Sequence, residues 1–339
     1  MRTPNLVYPL VQRNGSGVHT PVDDSRISVV IPTYNREALI TRAIRSALEQ
    51  TRPPAEIIVI DDGSTDNSRG VIEAFGSAVW YRYQENAGAS EARNHGVRIA
   101  SSRWIAFLDS DDVWSPTYLE RIADAIRGTE GRAGFYFTNV DESATGRGPD
   151  LWTISGFSIS GQFALTNDAS DWVMREFQPM LLPFTVFQRD AFLGVGGLWT
   201  DLSTREDTHL FMRLGLGGAA CAVASCGGKE TNDELPSNRL SIAHGSDTAE
   251  HWHNSIRMYH DILGSGARIS EYYRTELVRR LADSHWRLSR LAWKDKDLRT
   301  SFREACRSFN VDSGTFLDIL VRGFGLQREK SPKKRDKAK

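Results

Sequence analysis

From Arg26 onward, short apolar runs alternate with stretches in which apolar residues recur at helical spacing. Ile27, Val29, Val30 and Ile31 make a β-branched run closed by Pro32, which predicts a buried strand. Between Glu37 and Gln50, the positions Leu39, Ile40, Ala43, Ile44, Ala47 and Leu48 keep a helical period, and Pro53-Pro54 stops the helix. The same reasoning predicts strands over 56–60, 79–83, 104–108 and 134–139, with helices over 68–75, 90–100 and 118–126. Strands alternating with helices of this length imply right-handed crossovers and an α/β fold, with a mostly parallel sheet flanked by helices.

The second half is less regular. Residues 151–183 are rich in Ser, Gly and aromatic side chains without a period, and predict an irregular region. Residues 185–192 are apolar again and lead into Gly196-Gly197. Residues 206–216 predict a helix with Leu210, Phe211 and Leu214 on one face, whereas 215–228 are Gly- and Ala-rich and fit no single element. Trp252 to Val321 predicts a helical region broken by a turn at 264–266, with apolar faces from Leu277, Leu281, Leu288, Leu291 and Trp293. Its Trp252, Tyr259, Tyr272, Tyr273, Trp286 and Trp293 are expected to pack a helical core; a homodimer surface or an acceptor platform are the alternatives. Residues 1–25 read as an irregular arm.

Composition narrows the class. The chain has 339 residues, 40% apolar and 25% charged, with a net charge of −1, so a sizeable core is expected and nucleic acid is not an expected partner. Three cysteines without metal-ligand spacing argue against a disulfide framework or a zinc site and fit a reducing, cytoplasmic setting. Residues 1–24 lack the pattern of a signal peptide, and no apolar run approaches the roughly 18 residues that span a bilayer. Lys330, Lys333, Lys334, Arg335, Lys337 and Lys339 face only Asp336 in the last ten residues. Such a tail is expected to be disordered and solubilising, or to draw the protein peripherally to anionic lipid at the inner membrane face.

Ligands of parallel sheets bind at the carboxyl ends of the strands, and polar residues cluster at the predicted ends here. Phe107-Leu108-Asp109-Ser110-Asp111-Asp112 places carboxylates on an open loop, suited to Mg2+ or Mn2+ with phosphate completing the shell, or else an Asp-rich turn. Asp61-Asp62 at the second strand offers an acceptor for the edge of a base, or else part of a strand–turn–helix junction. Pro32-Thr33-Tyr34 at the first would contact or stack on a base, or else serve only the turn.

Taken in order, VVIPTYNRE, IIVIDDGSTDNS, NAGASEARNHGV and WIAFLDSDDVW resemble glycosyltransferase family 2, inverting enzymes with the GT-A fold. The resemblance spans about Arg26 to Leu214 and implies roles position by position. Pro32, Thr33 and Tyr34 would contact the nucleotide; Asp62 would read the base, with Asp61 its neighbour. Asn86, Ala87, Gly88 and Arg93 would run beside the nucleotide and diphosphate. Asp111 would hold the metal, with Asp109 and Ser110 near the ribose or a metal-bound water. Phe192 to Leu214 resembles the family's Gly-Gly loop followed by a Glu-Asp pair opening a helix. Gly196 and Gly197 would let backbone approach the sugar, and Asp207 would be the general base, with Glu206 in reserve. His244 is a candidate to complete the metal shell or bind a phosphate.

The resemblance therefore implies a GT-A catalytic domain over 26–250, with a nucleotide-sugar half at 26–114 and an acceptor half at 115–250. A helical region at 251–325 and the basic tail at 326–339 would follow it. It implies Mn2+ or Mg2+ as cofactor, a nucleoside-diphosphate sugar (uridine first) as donor, and a glycan, lipid-linked or small-molecule acceptor. A nucleotidyltransferase would carry a Gly-rich phosphate loop where Pro32-Thr33-Tyr34 stands, and a dehydrogenase a G-x-G-x-x-G turn, which is absent. A non-catalytic nucleotide-sugar-binding relative is opposed by Asp62, Asp111 and Asp207 being in place.

Overall fold

The structure is a computed structural model that describes residues 25–144, 148–230, 247–266 and 269–317. Among these, nine strands form one sheet: β1 (Ile27–Thr33), β2 (Glu56–Asp61), β3 (Trp80–Tyr83), β4 (Trp104–Phe107), β5 (Val113–Trp114), β6 (Phe135–Asp141), β7 (Phe163–Thr166), β8 (Thr185–Gln188) and β9 (Ala220–Lys229). Their order is β3-β2-β1-β4-β8-β6-β9-β5, with β7 paired to β9. The first four strands are all parallel. β8 then pairs antiparallel with both β4 and β6, so the second half of the sheet is mixed.

Strands β1, β2 and β4 are apolar on both faces because helices cover both, whereas the edge strand β3 is largely exposed. Val30, Ile58, Ile60, Ile105 and Phe107 point into one core cluster; Val29, Ile31, Ile57, Val59 and Ala106 point into the other. Helices α1 (Ile40–Leu48) and α4 (Tyr118–Gly128) pack on the second face, and α3 (Ala89–Ile99) on the first; α2 (Ser68–Glu73) adds Ile72 to the second cluster. Three shorter helices follow: α5 (Leu151–Ser155), α6 (Ser170–Val173) and α7 (Arg189–Gly194). Helix α8 (Glu206–Gly215) is seated on the first face by Phe211, whose ring lies 5.8 Å from that of Phe187 and 5.6 Å from that of Phe135.

Three longer helices follow: α9 (Ala249–Gly264), α10 (Glu271–Lys294) and α11 (Leu298–Val311). Each starts at a side-chain cap, from Thr248, Ser270 and Asp297 in turn. Met258, Tyr259 and Ile262 of α9 and Leu277 and Leu281 of α10 join the same core cluster as α8.

Several elements depart from the sequence expectation. Residues 151–183 contain α5, β7 and α6 rather than an irregular coil. The Gly- and Ala-rich 215–228 stretch becomes most of β9, a ten-residue strand. Small residues are needed there because neighbours approach closely; a Cβ on Gly227 would sit 2.1 Å from Thr138 Oγ1. The aromatic residues expected to fill a helical core divide: Tyr259 is buried and Trp286 packs against Phe316, but Tyr272 and Trp293 are exposed. No helix among the described residues is long and apolar enough to cross a membrane.

Candidate active site

Strands β2, β1 and β4 lie side by side and end on one edge. The Asp62 amide donates to Thr33 O at 2.9 Å and the Leu108 amide to Val30 O at 3.1 Å, so the three polar chain turns leave the sheet together. The loops after β1 and β2 are laced to each other. Asn35, held at φ 53°, accepts from the Thr65 amide (2.7 Å), and its own amide donates to Ser64 Oγ (2.9 Å). Tyr34 stands exposed on this rim, and Thr33 Oγ1 is buried with no hydrogen-bond partner among the described residues.

Asp61 and Asp62 divide the work at the end of β2. Asp61 is turned inward, accepting from Tyr81 Oη (2.8 Å) and the Ser64 amide (2.9 Å). Burial and the Asp61 carboxylate push the Tyr81 phenol well above its usual range. Asp61 thus secures the turn instead of reaching toward a ligand. Asp62, 3% exposed, accepts from the amides of Ala87 and Gly88 at 2.8 Å each and from Gln84 Nε2 at 2.7 Å. Gln84 in turn meets His95 Nδ1 at 2.8 Å. Asp62 therefore also ties the Asn86–Gly88 segment, and with it the start of α3, to the sheet. The lone-pair capacity left on its carboxylate allows one further donor.

One turn into α3, Arg93 is 7% exposed and donates from Nη2 to Asp109 Oδ1 at 2.5 Å. Burial opposes the charge on Arg93, but Asp109, and behind it Glu206 and Asp207, outweigh burial and hold the guanidinium above its usual value. The residues of the DxD loop and the Glu-Asp pair, nearly a hundred positions apart, thus share one buried cation. Within that cluster Glu206 is pushed up to about 7, first by burial and then by Asp207, with Arg93 pulling the other way. Asp207, its neighbour in the first turn of α8, accepts from the Thr208 amide at 2.5 Å.

The rest of the loop is anchored as well. Arg42 of α1 donates to the Asp111 carbonyl at 2.5 Å, and Ser110 and Asp112 are buried. Among the described residues no group of three or more His, Cys, Asp or Glu side chains is gathered for a metal. The donors that do stand on this loop, Asp109 and Asp111, are hard oxygen ligands. They fit a divalent ion held by one or two carboxylates and completed by substrate phosphates. His244, the other candidate ligand, lies outside the described residues.

The loops around α8 are braced by residues to which the sequence assigned no role, around a glycine pair that it did single out. Gly196 (φ 89°) and Gly197 (φ 72°) both need left-handed backbone. A Cβ on Gly197 would come within 2.5 Å of Asn94 Oδ1, because Asn94 clamps the turn to α3 through the amide and carbonyl of Leu198 (2.9 and 2.8 Å). Arg205, immediately before Glu206, is held at φ 73°. The residues before it are held by α9, where Asn254 donates to Ser203 Oγ (2.9 Å) and Thr204 Oγ1 (3.2 Å). Asp261 of α9 accepts from Arg213 (2.7 Å) and pairs with His209 Nε2 (2.9 Å). Burial keeps His209 below its usual pKa, so a neutral ring donates to an ionised Asp261. A cleft of ≈ 390 Å³ lies beside this arrangement, between Arg98 of α3, the Gly196–Thr200 turn, His209 and Asp261; it does not include Asp109 or Glu206.

The profile of glycosyl transferase family 2 matches residues 28–184. The UDP-Glc:α-D-GlcNAc-diphosphoundecaprenol β-1,3-glucosyltransferase WfgD of Escherichia coli is 45% identical over 101 residues, covering 29% of this chain and 40% of WfgD. The glycosyltransferase GlyG of Streptococcus pneumoniae is 30% identical over 177 residues, 49% of this chain and 58% of GlyG. These matches span less than two thirds of either relative's length. Among solved structures, S. aureus TarS 1-349 in complex with UDP-GlcNAc superposes with a TM-score of 0.57 at 18% identity, covering 89% of this chain and 83% of that one. The mannosyltransferase PcManGT from Pyrobaculum calidifontis, in complex with GDP-Man and Mn2+, reaches 0.54 at 17% identity, covering 89% and 80%.

Proposed function

We propose that this chain, which belongs through residues 28–184 to glycosyltransferase family 2 and has the GT-A fold, transfers a sugar from a nucleoside-diphosphate sugar to an acceptor hydroxyl with inversion. The observation that carries the reading is Arg93, a buried cation paired with Asp109 of the DxD loop and held charged in part by the field of Glu206 and Asp207. An electrostatic link between the predicted diphosphate side and the predicted base supports their acting in one site.

The nucleoside lies along the rim formed by Thr33, Tyr34 and Asp62, with Asp62 taking one donor from the base. A uridine nucleotide is the preferred donor; WfgD is named for UDP-Glc and TarS is complexed with UDP-GlcNAc, which supports it. Asp111, with Asp109 beside it, would hold Mn2+ or Mg2+, and the ion when bound supplies positive charge to the diphosphate leaving group. PcManGT crystallised with Mn2+ supports that choice. Asp207, beside a Glu206 whose pKa is raised to about 7 by burial, takes the proton of the acceptor hydroxyl. The acceptor oxygen bonds to the anomeric carbon as the bond to the diphosphate oxygen breaks, and the electron pair leaves with the nucleoside diphosphate. Attack from the opposite face inverts the centre, and no protein nucleophile is required.

Residues 26–250 act as the catalytic domain in this reading, with α9 bracing the loop that carries Glu206. The cleft beside Gly196–Thr200 is assigned to the acceptor, a glycan or a lipid-linked sugar; WfgD, named for a diphosphoundecaprenol-linked acceptor, supports the lipid-linked class. A cytoplasmic setting agrees with Cys221, Cys226 and Cys306 being free thiols. The test is incubation with UDP-, dTDP- and GDP-sugars, with and without Mn2+. Release of nucleoside diphosphate is expected. Pyrophosphate release would indicate a nucleotidyltransferase, and nucleotide-sugar binding without turnover a non-catalytic relative.

A further inference from the structure

Helix α11 has a surface that the proposed chemistry does not use. Ser301, Glu304 and Ser308 form its buried seam. Beside the seam, Leu298, Phe302, Ala305 and Phe309 recur at spacings of four, three and four and make one apolar stripe. Leu298 is 60% and Phe302 74% exposed, and Trp293, just before the turn into α11, is 66% exposed. Isolated apolar side chains on a surface are ordinary, but a stripe of them on one helix marks a contact surface. The next stripe round the helix is Arg299, Arg303 and Arg307, spaced by four, and all three are exposed.

We propose that α11 docks the protein onto an anionic lipid surface, its apolar stripe entering the headgroup boundary and its arginine stripe meeting the lipid phosphates. The charge pattern selects this occupant. Residues 294–311 carry five basic and three acidic side chains, and one of the acids, Glu304, is buried beneath Arg303 and Arg307, which it accepts from at 3.0 and 2.9 Å. A second copy of the chain docking antiparallel through the same stripe would set two rows of arginines side by side, which an isologous contact penalises. An apolar face flanked by basic residues on a helix lying flat is the pattern that binds at a lipid interface. The six basic residues within 330–339 add charge of the same sign to the chain that follows. Such docking also suits an enzyme whose acceptor is lipid-linked, but the contact stands on α11 whatever the acceptor is.

The test is flotation of the full-length protein with vesicles of phosphatidylcholine alone or of phosphatidylcholine with phosphatidylglycerol, an assay that reads no turnover and so stands apart from the proposed activity. Binding is expected only to the phosphatidylglycerol vesicles, weakening as salt is raised. The double variant Leu298→Ser, Phe302→Ser should lower partitioning about tenfold or more, and Arg299→Gln should lower it on the anionic vesicles. The exposure of all three side chains means that the fold does not depend on them. Absence of vesicle binding would overturn the proposal, as would binding that is indifferent to Phe302, which would place the contact in the basic tail. So would a concentration-dependent dimer in sedimentation that Phe302→Ser abolishes.

Discussion

Arg93 Nη2 and Asp109 Oδ1 stand 2.5 Å apart, on the first turns of α3 and on the loop after β4. The pair is asymmetric: the Arg93 side chain is almost wholly enclosed, whereas that of Asp109 retains access to solvent. Arg93 therefore depends on acidic neighbours for compensation, and it finds them in two segments of the proposed site. Removing it should be felt in both.

Arg93→Met leaves Asp109 without its buried partner and takes away the charge that lowers the pKa of Glu206. A stability loss of about 2 kcal/mol is expected, the scale of a hydrogen bond to a charged group, since Asp109 itself keeps access to solvent. The titration of Glu206 should move above pH 7. Chemical denaturation across a pH series measures both.

Asp207→Asn should lower turnover by about 10²–10⁴-fold, the scale of general-base assistance, while leaving nucleotide binding nearly unchanged. Steady-state rates set beside calorimetric binding of the nucleoside diphosphate distinguish the two effects. A large loss of nucleotide affinity would refute the base assignment.

Glu206 ties stability to pH. Its folded pKa of about 7 lies above the ordinary carboxylate value of 4.5, so between those values the folded protein keeps a proton that the unfolded chain releases. Stability should fall as pH rises through that window. Glu206→Gln should flatten the dependence and add on the order of 2 kcal/mol at about pH 8. Thermal melts of both proteins over the window check the sign.

Asp111→Ala should abolish Mn2+-dependent turnover while leaving a cooperatively folded protein, as thermal melts beside the rate measurement would show. A chelator should reproduce the loss of activity in the unsubstituted protein, and added Mn2+ should restore only the latter.

Gly197→Ala is expected to cost about 2 kcal/mol, because the new Cβ meets Asn94 and the backbone there is left-handed. Asn94→Leu should cost a similar amount, about 2 kcal/mol, by leaving the Leu198 amide and carbonyl unpartnered. Denaturant midpoints give both values, and loss of activity in either would tie this turn to the site.

Most of the parallel half was legible because β1, β2 and β4 are apolar on both faces and each covering helix on one. Periodicity therefore marked β1, α1, β2 and β4 close to where they lie. The β9 strand was not legible: its Gly and Ala residues are chosen for the close approach of β6 and β5, a condition set by residues remote in the chain. For the same reason Arg42, Asn94, Asn254 and Asp261 gave no signal. Each is an ordinary polar residue on a helix until folding brings its partner 48 to 104 positions away into reach.

What the sequence determined by itself was local: the turn residues at the strand ends, the carboxylates of Asp62, Asp109, Asp111, Glu206 and Asp207, and the order in which they occur. Their protonation and their alliances were decided by tertiary structure. A pKa depends on burial and on the nearest charges, and whether Glu206 keeps its proton rests first on its burial and then on Asp207, Arg93 and Asp109.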